Sequence, residues 1–162
     1  MKILALSGSL RAASINSALL RTATRLAPPG VDVSVCTVVG ELPLFNPDLE
    51  SSLPTSVVRL RAEVAAADAL LIANPEYAHG VTGSIKNTLD WLVSFEPFAN
   101  KPVAVINASP RARHADAALR EILKTMSATI VEAASVTIPL LGAGISESEM
   151  AEEAAVALAL RQ

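Results

Sequence analysis

The sequence predicts a doubly wound α/β domain with a parallel sheet, and three observations carry that prediction. Short apolar runs alternate with longer segments of helical period, giving β-α five times along the chain. The runs KILAL, DALLIA and PVAVINAS are nearly continuous in apolar residues, as strands buried on both faces require. Loops of small and polar residues follow these runs and end in residues that cap helices. A length of 162 residues suits one domain, 1–162, able to bury about two-thirds of the surface of the extended chain.

The first strand is predicted over Lys2 to Leu6. SGSLRAAS follows as a loop ending in Ser14, an N-cap for a helix with Ile15, Leu19, Ala23 and Leu26 on one face. Pro28, Pro29 and Gly30 stop that helix. Val31 to Val39 alternate as a second strand, and LPLFNPDLE, Leu42 to Glu50, is a long connection. Ser52 with Pro54 opens a helix bearing Val57, Leu60 and Val64. Asp68 to Ala73 is the third strand, ended by Pro75, which has no backbone donor. Ile85, Leu89, Leu92 and Val93 recur at helical spacing behind Thr82 or Gly83 as the cap. A turn at Asn100 to Pro102 leads into a fourth strand, Pro102 to Ser109, and then a helix through Leu119, Ile122, Leu123 and Met126. The fifth strand, Thr129 to Ile138, is expected to be interrupted near Ala133. Ser146 with Glu149 reads as a capping box for a last helix running to the C-terminus.

Right-handed crossovers place helices on both faces of such a sheet. Five strands fit the flavodoxin-like three-layer sandwich, order 2-1-3-4-5, better than a six-strand dinucleotide fold. The switch point then lies between the first and third strands, where SGSLRAAS meets PEYAHG. Ligands of open α/β sheets bind at that point.

Composition narrows the function. Hydrophobic residues make up 51% of the chain but fall in short runs, so no membrane span of ~20 residues is expected. A net charge of −3 and a pI near 5.4 supply no basic stripe for nucleic acid and point to small-molecule partners. No charged, apolar leader precedes Lys2, so the expected location is cytoplasmic. The single cysteine, Cys36, rules out an internal disulfide framework and reads as a small core residue.

Ser7, Ser9, Arg11, Ser14 and Asn16 gather at the mouth of the first helix, where free N–H groups and the helix dipole favour an anion. Neither GxGxxG nor GxxxxGK[ST] occurs, so the loop reads either as a capped helix with a polar loop or as an anion site whose natural guest is a monophosphate.

SGSLRAASINSALL, LPLFNPDLE, NPEYAHGVTGSIKNTLDWL and KPVAVINASP together resemble, in order and over nearly the whole chain, the motifs of the NADPH-dependent FMN reductases, which include quinone and chromate reductases. The resemblance implies a flavodoxin-like fold with non-covalent FMN. It also implies NADPH or NADH as co-substrate and two-electron, ping-pong reduction of flavins, quinones or related small-molecule acceptors. By the same matching Ser9, Arg11, Ser14, Ile15 and Asn16 hold the FMN phosphate. Pro75, Glu76 and Tyr77 lie along the ring, Ala78, His79 and Gly80 complete that stretch, and Ser109 approaches the pyrimidine side. A homodimer or homotetramer is implied, with the substrate pocket completed by a neighbouring subunit.

The chain departs from the family in two places. Ala78, His79, Gly80 and Thr82 stand where PEYNxSxPG is usual. The glycine-rich fourth loop is replaced by Pro110, Arg111, Ala112, Arg113 and His114. Glycines let backbone approach a flat ring closely. The substitution leaves two outcomes open: weaker flavin binding, or arginines set where the phosphates of a nicotinamide nucleotide lie.

His79, His114 and Cys36 lack metal-ligand spacing. A Ser9, His79, Asp90 hydrolase is disfavoured by the absence of GxSxG. Trp91 is expected in the core or a subunit interface, Tyr77 is open to a core reading, and Lys86, Asn87 and Asp90 form a structural polar set. No side chain is expected to be catalytic. The sequence therefore predicts an NAD(P)H-dependent FMN-containing oxidoreductase. A flavodoxin-like binding or regulatory module that has lost tight flavin binding is the alternative.

Overall fold

A computed structural model describes residues 1–140 and 142–161. Its sheet has five parallel strands in the order β2-β1-β3-β4-β5, formed by Lys2–Ser7 (β1), Asp32–Val35 (β2), Ala69–Ala73 (β3), Pro102–Ile106 (β4) and Thr129–Ile130 (β5). The helices are Ile15–Leu26 (α1), Thr55–Ala66 (α2), Gly83–Asp90 (α3), Arg113–Thr125 (α4), Glu147–Met150 (α5) and Ala154–Leu160 (α6). Among the described residues no helix is long and apolar enough to cross a membrane.

Side chains of a strand alternate between faces, so each central strand feeds two cores. Leu4, Leu6, Leu70, Ile72, Val103 and Val105 pack with Val57, Leu60, Ile85, Leu89, Leu119 and Leu123 on one side. Ala5, Ala73 and Ile106 join Leu19, Leu20, Met150 and Val156 on the other. The helix starts follow the expected chemistry. Ser14 accepts the Ser17 N–H, and Thr82, rather than Gly83, caps α3 by accepting from Ile85.

Two elements differ from the sequence reading, and a third follows it. The second strand ends at Val35, and a 3-10 turn over Val38–Glu41 follows; its Val38 and Val39 are buried beside α2 and α3 rather than paired in the sheet. The fifth strand is interrupted near Ala133 as expected, by a 3-10 turn over Glu132–Ala134 that follows Thr129–Ile130. Pairing resumes at the single bridge Asn107↔Thr137, where Ile138 N–H donates to Asn107 O. The last helix is not continuous. The Ser146/Glu149 capping box forms, but α5 stops at Met150 and α6 begins at Ala154. Met150 and Val156 would be ~120° apart around an unbroken helix, and the break lets both reach the core. Arg21 and Arg25 hold α5 against α1 through Glu147.

The long second connection is pinned rather than loose. Asn87 Oδ1 accepts from Phe45 N–H, while Asn87 Nδ2 and Trp91 Nε1 both donate to Pro43 O. Phe45 meets the buried Trp91 ring edge-on at 5.0 Å. Arg61 closes the other end of the connection. Its guanidinium is paired bidentately with Glu50, donates to Trp91 O and lies over the Phe95 ring.

Candidate functional site

β1 and β3 are hydrogen-bonded through Ser7↔Ala73, so the loops after them leave the sheet side by side. Their junction is sewn tightly. Gly8 N–H donates to Ala73 O, Ser84 Oγ donates to Gly8 O, and Asn74 Oδ1 accepts from Thr82. A Cβ on Gly8 would stand 2.2 Å from Asn74 Oδ1, so any larger residue would push Asn74 out of its bonds to Thr82.

Beyond this junction opens a cleft of about 390 Å³, within the range of small-molecule sites. The first loop and the start of α1 supply Ser9, Arg11, Ala13, Ser14, Ile15 and Asn16. Pro75, Glu76 and Tyr77 form a second wall, and Asn107, Ala108, Ser109, Arg111 and Ala112 a third. Five lining residues are buried polar groups: Ser9, Ser14, Asn16, Asn107 and Ser109. Asn16 Oδ1 is buried with no hydrogen-bond partner, although Asn16 itself is only 5% exposed. An orphaned buried acceptor costs ~1–3 kcal/mol, and such a cost at a cleft wall fits a donor carried by a ligand.

The sequence-expected residues divide between the cleft and its surroundings. Ser9, Arg11, Ser14, Ile15, Asn16, Pro75, Glu76, Tyr77 and Ser109 line it; Ala78, His79 and Gly80 do not. Those three form a tight turn closed by Tyr77 N–H to Gly80 O and Gly80 N–H to Tyr77 O. Ala78 and His79 sit in the left-handed region, at φ 49° and 58°, where a side chain costs ~1–2 kcal/mol. Tyr77 is 58% exposed, which corrects the core reading of that residue.

The fourth loop lacks glycines yet is ordered by its own polar groups. Asn107 Oδ1 accepts from Ser109 N–H, Ser109 Oγ accepts from Arg111 N–H, and Asn107 Nδ2 donates to Ala112 O. Sequence reasoning passed over Asn107. Its signal is an amide two residues before a serine at the end of a buried strand, the pattern of an Asx turn. Arg111 reaches the cleft, whereas Arg113 is turned to Pro110 O and does not line it. Among the described residues Arg11 and Arg111 form no ion pair, so two arginines outweigh the single carboxylate of Glu76 and the cleft is cationic in an acidic protein.

Cys36 is buried, and burial pushes its thiol up to about 12, so it is inert. Among the described residues no group of three or more His, Cys, Asp and Glu is placed to hold a metal ion.

A parallel 2-1-3-4-5 sheet with a cleft at its switch point defines the flavodoxin-like class of domain. Within that class the chain belongs to the NADPH-dependent FMN reductase family, whose sequence model it matches over residues 1–141. It is 43% identical over 112 residues to an NAD(P)H-dependent FMN reductase of Pseudomonas aeruginosa, a match covering 67% of this chain and 60% of that protein. A quinone reductase of Escherichia coli is 34% identical over 113 residues, with the same coverage. The chain thus spans about 60% of the length of the curated relatives it matches. The solved structure of FerB, a flavoenzyme NAD(P)H:(acceptor) oxidoreductase from Paracoccus denitrificans, superposes with a TM-score of 0.74 at 32% identity. That match covers 81% of this chain and 75% of FerB.

Proposed function

We propose that this protein is an NAD(P)H-dependent FMN oxidoreductase that reduces quinones, flavins or related acceptors by two electrons in a ping-pong cycle. The observation that carries the reading is the unsatisfied, buried Asn16 Oδ1 in a cleft that also holds Ser9, Arg11 and Ser14 around the N-terminus of α1. The residues present fit FMN. Ser9, Arg11 and Ser14 with the open N–H groups of α1 offer what a phosphate needs. Asn16 offers an acceptor for a hydroxyl of the ribityl chain. Pro75, Tyr77, Ala108 and Ser109 give two walls, partly apolar, for a flat ring.

Bound there, FMN supplies the chemistry, taking a hydride equivalent from the nicotinamide nucleotide and passing two electrons to the acceptor. The chain's task is orientation and electrostatics. The Ser109 hydroxyl, whose oxygen is held by the bond it accepts from Arg111 N–H, can donate to negative charge without having to reorganise. No side chain of the cleft is required as a general acid or base. Arg111 at the mouth draws the anionic nucleotide. Leu10, Leu44 and Tyr77 are exposed apolar residues in the first three loops, and they support a homodimer or homotetramer in which a neighbour closes the cleft. We place the protein in the cytoplasm. The ordered fourth loop weighs against the alternative of a module without tight flavin.

The test is titration of FMN and riboflavin by fluorescence quenching in the parent and in Arg11→Ala. Arg11 is exposed, so its charge-assisted bond stands at the low end of ~1.5–3 kcal/mol, a loss of about tenfold for FMN. Riboflavin, which has no phosphate, should bind the parent weakly and be indifferent to the substitution. Equal affinities for the two flavins would refute the phosphate assignment.

A further inference from the structure

Two contacts cross-link the third loop to the start of α4, one of them made by a residue of the cleft lining. Helix α4 starts without a side-chain cap of its own: Ala112 occupies the N-cap position and offers no acceptor. The missing acceptor comes from the other wall. Glu76 Oε2 accepts the Ala115 N–H at 2.9 Å, the bond an N-cap Asp or Ser would make to the third residue of the helix. A few residues further on, the chain's only two histidines, His79 and His114, stack with ring centroids 4.3 Å apart and planes inclined by 20°. His79 is held at positive φ in the strained turn, so this stack joins the tip of the third loop to the first turn of α4.

We propose that Glu76 is a positioning residue: its carboxylate, seconded by the His79–His114 stack, fixes the separation of the two loops and with it the width of the ring end of the cleft. The inference rests on the proposed reading of the cleft as a flavin site. Three facts support it together. Glu76 is the acidic residue of the cleft lining, half-buried, in an otherwise cationic mouth. Its negative charge lies at a helix N-terminus, where the dipole stabilises it. The residue it bonds stands three positions beyond Ala112, so any relaxation of the bond moves the third wall directly. A glycine-rich fourth loop would need no such tie, because it reaches the ring by backbone freedom. In this chain the loop is stiff, and its distance from the other wall has to be set from outside.

Glu76→Ala and Glu76→Gln test the inference, with the full chain in both cases. In the flavin-free protein, amide exchange at Ala115 should accelerate about tenfold in Glu76→Ala and much less in Glu76→Gln, which keeps an acceptor. FMN and riboflavin should then lose affinity by the same factor, roughly five- to twentyfold, because the ring end alone is affected, and Gln should recover most of it. At saturating FMN the visible circular dichroism of the ring should change in Ala and return toward the parent in Gln, a signature that simple loss of stability does not produce. Unchanged exchange at Ala115, flavin affinities within twofold of the parent, or a loss confined to FMN would each overturn the proposal. A parent that binds neither flavin would instead refute the function reading, and exchange at Ala115 would still decide whether Glu76 ties the loops: acceleration supports the tie, and no change overturns it.

Discussion

Replacing Asn16 by Ala should separate the needs of binding from those of folding. In the ligand-free protein the buried Oδ1 has no partner, and an unsatisfied acceptor costs ~1–3 kcal/mol. Removing it recovers about 1 kcal/mol of that. Position 16 lies in the first turn of α1, and Ala is a better helix former than Asn by a few tenths of a kcal/mol. The loss of side-chain volume opposes both gains at ~24 cal/mol per Å³ of void, but a void at position 16 opens into the cleft and fills with water. The sum is a flavin-free protein as stable as the parent or more stable by about 0.5–1 kcal/mol. The bond lost to FMN is a neutral one, worth about 1–1.5 kcal/mol, so affinity should fall about five- to tenfold. Thermal melts with and without saturating FMN, together with quenching titrations, measure both quantities on one preparation. A flavin-free Asn16→Ala protein melting more than about 4 °C below the parent, with FMN affinity within twofold, would refute the reasoning, because Asn16 would then serve the fold and not the ligand.

Changing Arg111 and Arg113 together to Ala should raise KM for NADPH more than for NADH, since only the former carries a 2′-phosphate. The effect should reside mainly in Arg111, and steady-state kinetics with both nucleotides would show equal changes if no phosphate contact exists. Ala78→Asn should raise the melting temperature, because Asn tolerates φ 49° where Ala is strained, with a gain of about 0.5–1 kcal/mol read from urea unfolding. Arg61→Ala should cost about 2–3 kcal/mol, less than a fully buried pair because Glu50 remains partly exposed, and lower the midpoint by roughly 5–10 °C. The hydrogen bond from Arg61 holds the Glu50 carboxyl below its usual range, so this contribution is present at neutral pH and is lost as pH falls through the folded-state value. Acid titrations of stability in parent and Arg61→Ala should therefore draw closer at low pH without meeting, because the bonds of Arg61 to Trp91 O do not titrate, and parallel curves would contradict the assignment.

The sheet order and the position of the cleft were legible because they follow from local signals: continuous apolar runs, caps at Ser14 and Thr82, and a proline after the third strand. What escaped the sequence is set by packing between distant segments. Val38 and Val39 are as apolar as any strand residue, but the helices beside them take them out of the sheet. The break between Met150 and Ala154 serves two core contacts that periodicity reads as one helix. At the site, the residues of the first loop are contiguous and were found together. Asn107 and the Glu76 contact to α4 were not, since one is a turn that organises its neighbours and the other joins positions 39 residues apart. Ala78, His79 and Gly80 were grouped with the cleft through the resemblance of their loop to a family motif; they form a tight turn beside it and are not among its lining residues.

The junction of Gly8 with Asn74 bears on how the protein is made. The strands whose ends frame the cleft, β1 and β3, pair across more than 60 residues of intervening chain, with Ile3 opposite Ala69. Closing so long a loop has an entropic cost that no contact repays until both strands are in place. Ser9, Arg11 and Asn16 emerge first in synthesis but have no opposing wall until the segment through Ala112 has followed. The growing chain thus has nothing with which to grip a flavin until its sheet has assembled around the β1–β3 pair, and cofactor capture becomes a late event that reports on completed folding.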